Sequence, residues 1–220
     1  MTQRSQNVSI SCSKEAVNGC VRYILCREGS KIPIKRSDII NHVSETCNVT
    51  KQNAINVFNA AQKELKKVYG YKIVELKLKD AIQCIIVLDK PEKSLLSSST
   101  NPYHRRLLIA ALTHIFMSSG PVPEDDMWKF LAEAYVLEEN DYNQRKIVTN
   151  VFTKQLYLNH YKEGEGELAK LVFDWGPRAH IELPKMFLLN KVASALEKDP
   201  QHWSEQYKIA ASDNSNQETI

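Results

Sequence analysis

Glu163, Glu165 and Glu167 alternate across Gly164 and Gly166. Carboxylates at that spacing can grip a metal ion or divide acid and base roles. Glycines between them mark the tip of a hairpin, and there three solvated glutamates need no ligand. The six histidines, at 42, 104, 114, 160, 180 and 202, are scattered, and His114 reads as a lone helix histidine. There is no G-x-S-x-G elbow, Walker loop or H-E-x-x-H pair. Cys12, Cys20, Cys26, Cys47 and Cys84 are odd in number and form no C-x-x-C pair. Neither a zinc site nor a disulfide framework is expected, and the cysteines suit a reducing compartment, cytosol or nucleus. The expectation is a chain that is not an enzyme, with no metal, no cofactor and no small-molecule substrate.

Basic side chains are more informative. Lys31, Lys35 and Arg36 flank a proline turn, and Lys51, Lys63, Lys66, Lys67 and Lys72 cluster further on. A second group is Arg145, Lys146 and Lys154, followed by Lys162 and Lys170. Each Lys or Arg set against a duplex neutralises a phosphate. Lys35, Arg36, Lys66, Lys67, Arg145, Lys146, Lys154 and Lys162 are the candidate DNA contacts. No Arg, Asn or Gln set is poised to read bases, so contact with double-stranded DNA should carry little sequence preference. The competing reading is a set of solvated helix faces.

Net charge hides this distribution. The 220 residues sum to +3. Residues 1–90 hold 15 basic and 8 acidic side chains, whereas residues 91–220 hold 14 and 18. Such a split suggests two modules with different surfaces. With 43% apolar and 25% charged residues, the composition is that of an ordinary globular protein. No run of about 18 apolar residues exists, so no membrane helix is expected. The polar start lacks an apolar h-region, which argues against a secretory signal.

The elements that would position these residues follow from periodicity. Ala16, Val17, Cys20, Val21, Ile24 and Leu25 form one stripe of a helix over 14–27, with Ser13 as N-cap and Gly29 as a left-handed stop. Pro33 forces an extended stretch, and Ser37 caps a short helix over 38–43. Thr50 caps a third helix over 51–69, with Ala54, Val57, Phe58, Ala61, Leu65 and Val68 inward and Gly70 as its stop. Val74, Leu76 and Leu78 alternate with charged residues, and the apolar stretch 82–88 is the hairpin partner. Helix, extended stretch, helix, helix, hairpin is the order of a winged helix.

Residues 91–102, rich in Ser with two prolines, read as a linker. The order then repeats. A helix spans 103–117, Gly120 to Pro123 is extended, and Glu124, Asp125 and Asp126 load the first turn of a helix to Tyr135. A third helix spans 144–156, and a hairpin around Gly164 and Gly166 leads into 168–175. Two more helical stretches follow Gly176-Pro177, and the polar chain beyond Ala211 should fray. The expected architecture is mainly α with small β-hairpins, an α+β chain of tandem winged helices. Module A spans 14–90 and module B 103–212, with tails 1–13 and 213–220. Leu107-Leu108 open an unusually apolar helix, read as core or as a face for a partner.

Three stretches are more specific. Lys31-Ile-Pro-Ile-Lys-Arg-Ser-Asp-Ile-Ile40, Tyr69-Gly-Tyr-Lys-Ile-Val-Glu-Leu76 and Phe173-Asp-Trp-Gly-Pro-Arg-Ala179 resemble the MAGE homology domain. Glu182, Lys185, Val192-Ala193, Trp203 and Tyr207 extend the likeness over roughly 14–212. The chain looks most like the family branch in the structural-maintenance-of-chromosomes (SMC) five/six complex. The resemblance implies tandem winged helices, a RING-like ubiquitin ligase subunit and a kleisin as partners, and SMC proteins reached through the complex. It also implies contact with double-stranded DNA and a nuclear location. The family's dileucine is matched to Leu107-Leu108, which makes them the expected contacts of the RING-like partner. A pocket between module B helices would take a kleisin helix. Leu183-Pro184 departs from the family's small hydroxyl pair. Two rival readings are a MAGE adaptor of a different RING ligase and a tandem winged-helix transcription factor.

Overall fold

The computed structural model describes residues 13–78, 81–90, 101–138, 141–166 and 169–217, the side chains of 214–217 excepted. Residues 1–12 of the expected tail, 91–100 of the linker, Glu167 and Leu168 lie outside these. The chain divides near residue 92 into two compact units.

In the first unit α1 spans Lys14–Glu28, β1 Ile34–Lys35, α2 Arg36–Cys47, α3 Lys51–Tyr69, β2 Tyr71–Leu78 and β3 Ala81–Leu88. β3 lies between β1 and β2, both antiparallel to it, with Ile34 opposite Cys84 and Val74 opposite Ile85. Ile24, Ile39, Phe58, Leu65 and Cys84 form the centre of one apolar cluster. Ser13 caps α1 by accepting from the Ala16 N–H, and Thr50 caps α3 by accepting from Asn53. Gly70 stops α3 at φ 68°, a left-handed value that costs glycine little.

Several expected boundaries move. Gly29 is right-handed at φ −58°, and Lys31, at φ 58°, makes the reversal instead. α2 starts at Arg36 with Lys35 in the cap position, so Ser37 is inside the first turn, where its hydroxyl bonds the Asp38 carboxylate. The pairing of Ile34 and Lys35 with β3 fixes this earlier start. α2 also runs beyond Val43 to Cys47, stopped by Asn48 at φ 50°.

The second unit repeats the order. It contains α4 Pro102–Met117, β4 Val122–Pro123, α5 Glu124–Glu133 and α6 Tyr142–Lys146, then a π-turn over Ile147–Val151, α7 Phe152–Lys154, β5 Leu158–Glu163 and β6 Lys170–Trp175. Its sheet order is β4-β6-β5, the counterpart of the first. α8 Pro177–Glu182, α9 Lys185–Ala195 and α10 Ser204–Gln217 follow. Leu107, Leu112, Met127, Phe173, Leu188 and Ala210 belong to its single core cluster. The third helix begins earlier than expected because Asp141 accepts from the Asn143 and Gln144 N–H groups. α5 stops before Tyr135, which is left-handed at φ 53°. α10 continues past Ala211, and Lys185 Nζ holds Asp213 Oδ2 at 2.8 Å. Among the described residues, no helix is long and apolar enough to cross a membrane.

Candidate interaction surfaces

The stretch that looked most diagnostic is internal. Trp175 ends β6 and donates from Nε1 to the Leu112 carbonyl at 2.9 Å, tying sheet to helix. Gly176 then passes so close to the chain before β5 that a Cβ there would lie 2.2 Å from the Leu156 oxygen. Pro177 opens α8, where its missing N–H is no loss. Arg178 is 2% exposed. It donates from Nε to the Gln155 carbonyl at 2.8 Å and from Nη1 to Glu182 Oε1 at 2.9 Å. The Tyr157 hydroxyl donates to the other Glu182 oxygen. A buried charge satisfied this fully braces the fold and is out of a partner's reach.

The basic candidates divide by what they touch. Lys35, Lys67, Lys146, Lys154 and Lys162 are exposed. Arg36 is half-buried, bonded from Nε to Glu75 Oε1 at 3.0 Å and set over the Phe58 ring. Lys66 meets Asp89 at 3.1 Å. The Arg145 guanidinium stands 5.3 Å from the Trp128 ring centre. Lys146 and Lys154 share the third helical run of the second unit, and Lys162 is on β5 of its wing.

Leu107 is 0% exposed and offers a partner no surface, while Leu108 is partly buried against the same core. Of the expected dileucine, only Leu108 presents surface in the isolated chain. Glu163 and Glu165 are exposed at the hairpin tip. Among the described residues, no three His, Cys, Asp or Glu side chains gather as a metal site.

The histidines serve packing. His114 lies parallel to Phe130 at 4.0 Å, and burial lowers its pKa despite Asp126 nearby. His160 stacks on Phe173 and meets Glu124 Oε2 at 3.2 Å. His180 lies 5.3 Å from Trp175, and burial, then Lys185, lowers its pKa.

The MAGE homology domain model matches residues 20–102 and 85–186. The chain belongs to the MAGE family. A human non-structural maintenance of chromosomes element 3 homolog is 31% identical over 91% of this chain and 67% of its own length. Human MAGE-like protein 2 is also 31% identical over 88% of this chain, but over only 16% of its own length. A solved structure titled "Nse1-Nse3-Nse4 complex" superposes with a TM-score of 0.79 at 29% identity, over 90% of this chain and 99% of that one.

This MAGE chain has a groove of mixed polar and apolar lining that periodicity hid. Val68 continues the inward register of α3, yet it is 61% exposed. With Tyr69, Val21, Leu25 and Cys26 it lines a groove of about 380 Å³ between α1 and α3, whose other walls are Asn18, Arg22 and Glu64. The stripe outruns the core because Gly70 turns the chain away just beyond it. An apolar stripe longer than the helices available to cover it was the signal in the sequence.

Proposed function

We propose that this MAGE chain is a non-catalytic subunit of an SMC five/six-type complex, nuclear and chromosome-associated. It joins a RING-like ubiquitin ligase subunit, which it stimulates, to a kleisin, and it touches double-stranded DNA. The likeness to the solved complex chain carries this reading, because it extends over 99% of that chain and is supported by 29% identity. An interaction protein also fits the surface, which combines a groove on α1 and α3, lined by Val68 and Leu25 but also by Arg22 and Glu64, with exposed lysines on helix and wing. For the RING-like partner the proposed contact is the dileucine Leu107-Leu108, of which Leu108 is the partly exposed member, and the groove at Val68 and Tyr69 is a second candidate surface. The second unit is the proposed seat of a kleisin helix. The exposed Lys35, Lys67, Lys146, Lys154 and Lys162 supply phosphate contacts, with Arg36, Lys66 and Arg145 released from internal partners if they join.

A second reading is an adaptor for a different RING ligase, favoured by the equal identity to MAGE-like protein 2. Affinity purification of the tagged chain followed by mass spectrometry separates the two. SMC subunits and a kleisin in the eluate support the first reading. A RING ligase without them supports the second.

A further inference from the structure

The third helical run of the second unit carries a row of side chains that its packing does not use. Val148 and Phe152 are its buried positions, whereas Lys146, Asn150, Val151 and Lys154 are exposed. In an unbroken α-helix each four-residue step overshoots a full turn by about 40°, so Lys146, Asn150 and Lys154 would fan out round the axis. The π-turn over Ile147–Val151 takes up much of that drift. The Phe152 N–H reaches back five residues to the Ile147 carbonyl, which fits more residues into the turn. The hydroxyls of Thr149 and Thr153 donate to the carbonyls of Arg145 and Thr149, at 3.0 and 2.6 Å, and brace the turn. The three exposed side chains are thereby aligned along one face, an amide between two ammonium groups.

Charge and size indicate what this face receives. Residues 142–154 contain no Asp or Glu. Neither lysine meets a carboxylate among the described residues. Arg145 is engaged with Trp128 and stays out of the row. Asp141, just before the run, is occupied with the N–H groups of Asn143 and Gln144. A phosphate polymer complements such a face. Eight residues of helix separate the two lysines by about 12 Å, and the major groove of B-DNA is also about 12 Å wide. Lysines so spaced reach the phosphates of both groove walls, and the residue between them stands over the base edges. Asparagine matches adenine there, its amide oxygen accepting from N6 and its amide nitrogen donating to N7. Val151 beside it is 38% exposed, an apolar surface of the kind that meets a thymine methyl.

We propose that Asn150 reads the major-groove edge of adenine, with Lys146 and Lys154 holding phosphates on either side, and that it gives the chain a modest preference for A·T pairs. The proposal rests on the reading of the chain as a contact of double-stranded DNA. The sequence showed no base-reading set, because a lone asparagine in a polar helix gains that meaning only from the row that the π-turn makes.

The test measures fluorescence anisotropy of the full chain with labelled twenty-base-pair duplexes, one of alternating A·T and one of alternating G·C pairs. A third duplex carries 7-deazaadenine, which lacks the N7 acceptor and leaves the minor groove unchanged. The A·T duplex should bind about fivefold tighter than the G·C duplex or better, as one bidentate base contact allows, and 7-deazaadenine should remove most of that margin. Asn150→Ala should lower affinity for the A·T duplex to the G·C level, with the G·C affinity, the salt slope and the melting temperature unchanged. Lys146→Glu with Lys154→Glu should weaken both duplexes alike. A preference that survives Asn150→Ala overturns the proposal. So does one that survives 7-deazaadenine, which traces it to the minor groove or to duplex shape. Equal binding of the two duplexes, with a salt slope that the lysine variants flatten, overturns the proposal and leaves the DNA contact standing. Binding of neither duplex removes the DNA contact and the proposal together.

Discussion

Arg178 and Glu182 are one helical turn apart on α8 and meet at 2.9 Å, with the arginine almost wholly enclosed. The pair holds the start of α8 against the chain that enters β5, because the same guanidinium also bonds the Gln155 carbonyl. Removing one partner strands a buried charge, which costs about 3–5 kcal/mol. Glu182→Ala should therefore lower the melting temperature of the chain more than Glu205→Ala, at an exposed position of α10. Equal effects in thermal denaturation would sink the brace.

Gly176 and Gly19 make an internal control. At Gly176 a methyl group would collide with the Leu156 backbone, whereas at Gly19, inside α1, it would meet nothing within 4 Å. Gly176→Ala should cost several kcal/mol, in the range of severe core lesions. Gly19→Ala should stabilise by about 0.5–1 kcal/mol through helix propensity. Urea denaturation of the two variants reads both signs.

These residues show what was legible in the sequence. The element order, both sheets' hairpins and the caps at Ser13 and Thr50 could be read because each depends on neighbours within a few positions. Gly29 misled because glycine permits a left-handed stop without requiring one, and pairing of β1 with β3 placed the reversal at Lys31. Val68 misled because periodicity reports which face a residue shares, not how far the core extends. The internal role of Arg178 needed contacts with Gln155 and Glu182 that only the folded chain brings together. Exposed lysines were legible as charges, but the partners of Arg36 and Lys66 come from β2 and the end of β3, 39 and 23 positions away in the sequence.

The titration of buried groups sets stability at both ends of the pH scale. Burial lowers the pKa of His114 and His180, so their neutral forms favour the fold. That contribution is present above the unfolded value near 6.5 and is lost as pH falls through the lower folded value. Burial, then Glu75, raises the Cys84 thiol to about 12 from 9.0, so its contribution is lost as pH rises between those values. Melting temperature should fall on both sides of a neutral plateau, and His114→Phe, which preserves a stack on Phe130, should soften the acid limb. An unchanged acid limb would remove His114 from this account. In native protein at pH 8, iodoacetamide should label Cys26 and spare Cys84.

Leu107 and Leu108 should separate when changed singly. Leu107→Ala opens a cavity in the core of the second unit and should cost about 2–5 kcal/mol. Leu108→Ala, at a partly buried position, should cost less. Loss of a RING-like partner in the double variant would then report damaged packing as much as a missing contact. Val68→Asp at the α1–α3 groove keeps the core intact, and it should weaken pull-down of the RING-like subunit at an unchanged melting temperature. Retained pull-down would clear the groove.

The lysines on the third helical run of the second unit permit a cleaner test of DNA contact than the arginine beside them. Lys146 and Lys154 are exposed, so Lys146→Glu and Lys154→Glu should leave the melting temperature unchanged. Each phosphate contact contributes about 0.9 to the slope of log K against log salt, so removing both should flatten that slope by roughly 2. Arg145→Glu should behave differently, because it also removes the contact with Trp128 and lowers stability. Affinity for unrelated duplexes of equal length should fall in parallel in the lysine variants, since phosphates carry no sequence. A slope that stays at the parent value would place DNA contact elsewhere, with Lys35 and Lys67 of the first unit the next exposed candidates.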